Sequence, residues 1–113
     1  VMRLAKAMGA RPVSIYGFDP AAFLALDQAG MQASLDRMIA NNRKTAKTHS
    51  GIWRDLAVRK RKTEVDAQIG VMVDMGAKAG VPMPVVAKLV ELIHDIEDGR
   101  RAQADDLADH LVA

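Results

Sequence analysis

One short stretch, Gly80-Val81-Pro82-Met83-Pro84, does most to limit what this chain can become. Glycine tolerates the left-handed backbone just past a helix end. Proline suits the first turn of the next helix, where its missing N–H is no loss. The stretch therefore stops one helix and starts another, and apolar residues on either side recur at helical spacing. Val65, Ile69, Met72, Val73 and Gly76 share a face before it, and Val86, Leu89, Val90, Ile93 and Ile96 share one after it. Thr63 stands where the first of these helices needs a cap.

The rest of the chain reads the same way. Val1, Leu4, Ala5 and Met8 lie on one face of an opening helix that Gly9-Ala10-Arg11-Pro12 ends, and residues 13–18 form an extended or loop segment. Asp19-Pro20 is a helix entry, with Asp as cap and Pro in the first position. A short apolar helix follows over residues 21–29. Gly30 is expected to interrupt it before a second stripe of Met31, Leu35, Met38 and Ile39. Residues 41–50 turn polar and basic, as at a helix end or in a loop. Gly99 separates the 84–96 helix from a last one with Leu107 and Leu111. Nowhere do β-branched residues alternate over the length of a strand, so the expected class is all-α, a bundle of about six helices.

Length and composition narrow the function classes. A chain of 113 residues supports one domain with a modest core, so residues 1–113 are expected to form a single helical domain. There are no cysteines, which removes disulfide and thiolate chemistry. Charges or prolines break every apolar run well short of the roughly 18 residues a membrane helix needs. The start, Val1-Met2-Arg3-Leu4, lacks the apolar core of a secretion signal, and a cytoplasmic location is the default. No capping residue precedes the first helical face, so the chain is expected to begin inside a helix, as the later portion of a longer polypeptide.

Charge is unevenly placed. Residues 43–62 carry eight Arg or Lys and one acid, Asp55, a local charge of +7, whereas residues 63–113 sum to −6. The basic run Arg59-Lys60-Arg61-Lys62 has two readings: a solvated face, or a patch that draws an anionic ligand or nucleic acid. Neither helix-turn-helix spacing nor a set of stacking aromatics accompanies it, which favours the solvated face. His49, His94 and His110 fit no metal-ligand spacing, so no metal is expected. His49 beside Ser50 lacks an orienting third group for nucleophilic catalysis. Trp53 and most of the seven methionines read as packing residues.

Glu64 is the sharpest candidate for chemistry. It stands in the first turn of a helix, directly after four basic residues, where a carboxylate can accept hydrogen bonds from substrate or ribose hydroxyls. The plainer reading is that Glu64 and Asp66 only complement the helix N-terminus.

Three motifs in order resemble the C-terminal domain of the ketopantoate reductase (2-dehydropantoate 2-reductase) family. Thr63-Glu64-Val65-Asp66, with Gly70 after it, is similar to a Thr-Glu-hydrophobic-Asp stretch. Ser50-Gly51-Ile52-Trp53-Arg54-Asp55 resembles an upstream Ser-rich element that ends in Asp. Gly80-Val81-Pro82-Met83-Pro84-Val85 resembles a Gly-Val-Pro-x-Pro-Val turn. The similarity covers about residues 45–100 well and residues 1–44 in pattern only. It implies the 6-phosphogluconate dehydrogenase C-terminal-like helical fold and an NADPH-dependent reduction of an α-keto acid such as ketopantoate, as in pantothenate biosynthesis. NADPH would be held mainly by an upstream Rossmann domain. A Lys before residue 1 would act as proton donor, since Lys6, Lys44 and Lys47 lie in no matching context.

On the same resemblance, Glu64 is the catalytic, substrate-binding and cofactor-binding residue of this domain, with Ser50 and Gly51 at the substrate. Gly51 stands where the family usually has a substrate-binding Ser, and Ser50 is the neighbour that substitutes for it. Ile69 replaces a frequent Asn, and one extra residue separates Asp55 from Glu64. The chain alone is expected to be inactive. The competing expectations are a free-standing module that forms a homodimer through the 64–79 and 84–96 helices, and a basic nucleic-acid-binding domain using residues 43–62.

Overall fold

The computed structural model describes residues 1–112, and among them there are seven α-helices and no strand. The all-α expectation holds. The chain divides into two compact units, Val1–Thr48 and the part from His49 onward.

The first unit contains α1 (Met2–Ala7), α2 (Pro20–Leu24) and α3 (Gln28–Arg43). The helix entry read from Asp19-Pro20 is present, with Asp19 Oδ1 accepting from the Ala21 amide at 3.1 Å. Gly30 does not interrupt anything. It lies inside α3, and the break falls earlier, at Leu26, whose φ of 54° is left-handed. A Cβ on Gly30 would collide with the Asp27 carboxylate and approach the Ala22 Cβ to 3.0 Å, so glycine here permits α3 to start against α2.

The apolar stripe on α3 is only partly used. Leu35 and Ile39 remain 43% and 49% exposed, while the one fully buried residue of α3 is Ser34. Its hydroxyl donates to the Gly17 carbonyl at 3.2 Å and accepts from the Asp19 amide at 2.8 Å. Gly17 has a φ of 86°, and a Cβ there would meet the Arg37 Cβ at 2.9 Å. The 17–19 loop thus lies directly on α3, and a small polar residue at its contact point satisfies backbone groups that burial would otherwise strand.

The second unit has a conventional apolar centre. A short helix, α4 (Gly51–Arg54), widens into a π-helical turn, Asp55–Arg59. A second π-helical turn, Asp66–Gly70, runs into α5 (Val71–Ala79). Then come α6 (Pro84–Glu97), a 3-10 turn (Asp105–Ala108) and α7 (Asp109–Val112). Leu56, Val65 and Ile93 form the buried cluster, with Ile52, Ile69, Leu89, Val90 and Ile96 packed around it. Val65 is 0% exposed, and full burial of such a side chain contributes roughly 2 kcal/mol. The inward faces read from the sequence are therefore real, although Leu92, outside the expected stripe, is among the most buried residues of α6.

The Gly80–Pro84 turn closes α5 with paired bonds. The Gly80 amide donates to the Ala77 carbonyl and the Val81 amide to the Gly76 carbonyl at 2.8 Å, the two bonds of a Schellman motif. Gly80 supplies the left-handed residue, at φ 70°. Gly76 has no room for a side chain, since a Cβ would sit 2.5 Å from the Val81 carbonyl oxygen and 2.6 Å from Met83 Cγ. The turn folds back onto its own helix, which places the start of α6 against α5.

Candidate functional site

The segment between the two π-helical turns contains Lys60 to Val65. Such turns are rare and recur at functional sites, because an inserted residue redirects the side chains around it. Lys60 ends the first turn in a left-handed conformation, φ 51° and ψ 46°, and its amide still reaches the Asp55 carbonyl.

Asp55, which the sequence marked only as the end of an element, is buried and explains half of the basic run. Its Oδ1 accepts from Arg59 Nη1 at 2.9 Å and from Arg61 Nε at 2.8 Å. The Arg59 hydrogen bond, joined by that of Arg61, holds the Asp55 carboxyl below its ordinary pKa against the opposing effect of burial. Two of the four consecutive cations are thus tied to the protein itself. Lys60 and Lys62 remain exposed at a cleft of about 230 Å³ that Leu56, Arg61, Ile96 and Glu97 also line.

Thr63 caps the next helix as expected, its hydroxyl oxygen accepting from the Val65 amide at 3.2 Å. It is itself held by a residue the sequence did not single out. Glu97 Oε1 accepts from the Thr63 amide at 2.8 Å and from the Thr63 hydroxyl at 2.6 Å. Glu97 Oε2 lies 3.0 Å from His94 Nδ1, and the other ring nitrogen of His94 lies 2.9 Å from Asp66 Oδ1. An imidazole can donate on both sides only as the imidazolium. Glu97 first, then Asp66, raise the His94 pKa above its ordinary value. Burial works to raise the Glu97 pKa, but the hydrogen bonds from Thr63 and His94 outweigh it and leave the carboxyl below its usual range. Nearby in sequence, His94 and Glu97 are a readable i,i+3 pair. The hold of Glu97 on Thr63, 34 residues away, is not readable.

Glu64 itself is exposed. Its Oε2 accepts from Gln68 Nε2 at 2.9 Å, one turn along the same helix, and the Gln68 amide donates to its carbonyl. Oε1 is left for another donor. Ser50 is the N-cap of α4, with Oγ accepting from the Trp53 amide at 3.1 Å. Its hydroxyl proton can still be given to a ligand, but its position is set by the helix. The His49 ring stacks on Trp53 with centroids 3.6 Å apart. Gly51 is exposed with nothing within 4 Å of where a Cβ would be, so no crowding requires glycine there and a serine would fit. Among the described residues, no hydrogen bond joins Ser50 or Gly51 to Glu64.

Among the described residues, no group of His, Asp and Glu is arranged to hold a metal, and no helix is long and apolar enough to cross a membrane. A family model described as ketopantoate reductase PanE/ApbA C terminal matches residues 1–97. The match takes in the whole first unit and the second as far as Glu97, further toward the N-terminus than the resemblance in motifs alone. Comparison with curated proteins and with solved structures gives no match. With most of its length covered, from α1 to the last residue of α6, the chain belongs to the ketopantoate reductase C-terminal family.

Proposed function

We propose that these residues are the C-terminal helical domain of a cytoplasmic, NADPH-dependent reductase of α-keto acids, ketopantoate or a close relative, with a Rossmann domain preceding residue 1. The family match carries this reading, and the state of Glu64 supports it. An exposed carboxylate with one oxygen bonded within its helix and one unused can accept from vicinal hydroxyls, which is what a ribose or a hydroxy acid presents. Bound NADPH supplies the hydride. Glu64 orients ribose and substrate, and the Ser50 hydroxyl donates to the substrate carboxylate from its fixed place at the start of α4. Lys60 and Lys62 lend the cleft a positive rim that attracts an anionic substrate.

The proton for the new alkoxide comes from a Lys outside these residues. The test is NADPH consumption, followed at its absorbance band, with ketopantoate as oxidant. The full-length polypeptide is expected to turn over while residues 1–113 alone do not. Turnover by residues 1–113 alone, or none by the full-length polypeptide with any small α-keto acid, contradicts the reading.

A further inference from the structure

We propose that Glu97 is a positioning residue for Glu64, with His94 and Asp66 completing the brace, a role that rests on the reductase reading above. The residues on both sides of Glu64 are fixed. Thr63 before it is bonded through amide and hydroxyl to Glu97, Val65 after it is fully buried, and Asp66 meets His94. Among the described residues the Glu64 side chain is hydrogen-bonded to Gln68 alone, so where its carboxylate stands is decided by its neighbours. The anchor is a carboxylate 2% exposed whose two oxygens are both used, one for Thr63 and one for His94.

Burying a carboxylate in this way is an expensive route to stability, since an apolar residue of like size usually serves the core as well or better. Its distinctive product is geometry. The charged hydrogen bonds, at 2.6 to 3.0 Å, set the start of the Glu64 helix against the end of α6, far more directionally than apolar packing. The π-helical turn that follows, Asp66–Gly70, begins at the residue His94 holds, so the brace also fixes where the helix widens.

A double-mutant cycle in the full-length reductase separates positioning from mere support. Glu97→Ala is expected to lower kcat about 10- to 100-fold with a smaller change in the KM for the keto acid, a displaced carboxylate being enough for such a loss. Adding Glu97→Ala to Glu64→Ala is expected to cost nothing further, because Glu97 acts only through Glu64. Glu97→Gln, which keeps an acceptor for Thr63, is expected to recover most of the loss and serves as the probe if the alanine variant does not fold. If Glu64→Ala is impaired but the two losses multiply, or Glu97→Ala turns over like the parent, the positioning role is wrong and the reductase reading stands. If Glu64→Ala itself turns over normally, the reading of Glu64 fails and the positioning role falls with it. An independent readout needs no activity: in residues 1–113, Glu97→Ala should speed amide hydrogen exchange at Thr63 and Val65 at least tenfold while the amides of α6 stay protected. Unchanged exchange at both would contradict the brace.

Discussion

The two units solve the same problem, a helical fold in few residues, by different means. The first has little large apolar surface to bury. Leu4 and Ala22 are inside, but Val13, Ile15, Tyr16, Leu35 and Ile39 stay exposed, and the polar contacts of Ser34 tie the 17–19 loop to α3. The second closes Leu56, Val65 and Ile93 into a core, then adds two buried carboxylates, Asp55 and Glu97, each held by cations or donors. The teaching is that apolar packing gives the second unit its stability, while its buried charges place a short exposed segment. The candidate chemistry lies there and not on the larger exposed apolar faces.

The comparison breaks most readily at the core. Ile93→Ala should destabilise the second unit by about 3 kcal/mol, read as an earlier urea transition in the fluorescence of Trp53, the only tryptophan. Leu35→Ala in the first unit, at a half-open position, should cost below about 1 kcal/mol. Equal costs would mean the first unit has a core that the exposed faces do not reveal. Gly76→Ala comes next, at about 2 kcal/mol, because the added methyl meets a backbone carbonyl that cannot turn aside. A stabilised variant would show that helix propensity outweighs the close turn.

Ser34→Ala sharpens the other side. It strands the Asp19 amide and should cost about 1 to 2 kcal/mol, seen as faster hydrogen exchange at that amide. The smallest effect is on pH. The Asp55 and Glu97 pKa values are lowered on folding, so the stability they contribute is present above their unfolded values near 3.8 and 4.5, and is lost as pH falls through the folded ones. The His94 pKa is raised, so its contribution is complete below its unfolded value near 6.5 and fades as pH rises through the folded one. The melting temperature of the second unit should therefore fall off on the acid side and, more gently, above neutrality. A His94→Gln variant should lose the second decline and keep the first.

These contrasts also explain what the sequence disclosed. Periodicity gave the faces of α5 and α6, and Gly80 with Pro84 gave the turn between them, because these signals act over three or four residues. Thr63 was legible as a cap for the same reason. Gly30 was misread because a glycine that breaks a helix and one that lets two helices meet look alike until the neighbour, Ala22, is in place. The half-used stripe on α3 follows from Ser34, whose value lies in loop atoms 15 and 17 residues away. The basic run looked uniform because its division into tied Arg59 and Arg61 and exposed Lys60 and Lys62 depends on the first π-helical turn. Glu64 stands out as a candidate by its place at a helix start and by its family motif, whereas the bond of Glu97 to Thr63 spans 34 residues and leaves no local sign.

The most direct test of the central claim, the proposed reductase role of Glu64, is the kcat/KM of Glu64→Gln in the full-length polypeptide, with its melting temperature measured alongside. The Glu64 side chain is exposed and, among the described residues, hydrogen-bonded only to Gln68, so glutamine should leave the melting temperature within a degree or two while kcat/KM falls about 100-fold. An unchanged kcat/KM at unchanged stability would contradict the claim, and would return Glu64 to an ordinary acid at a helix start.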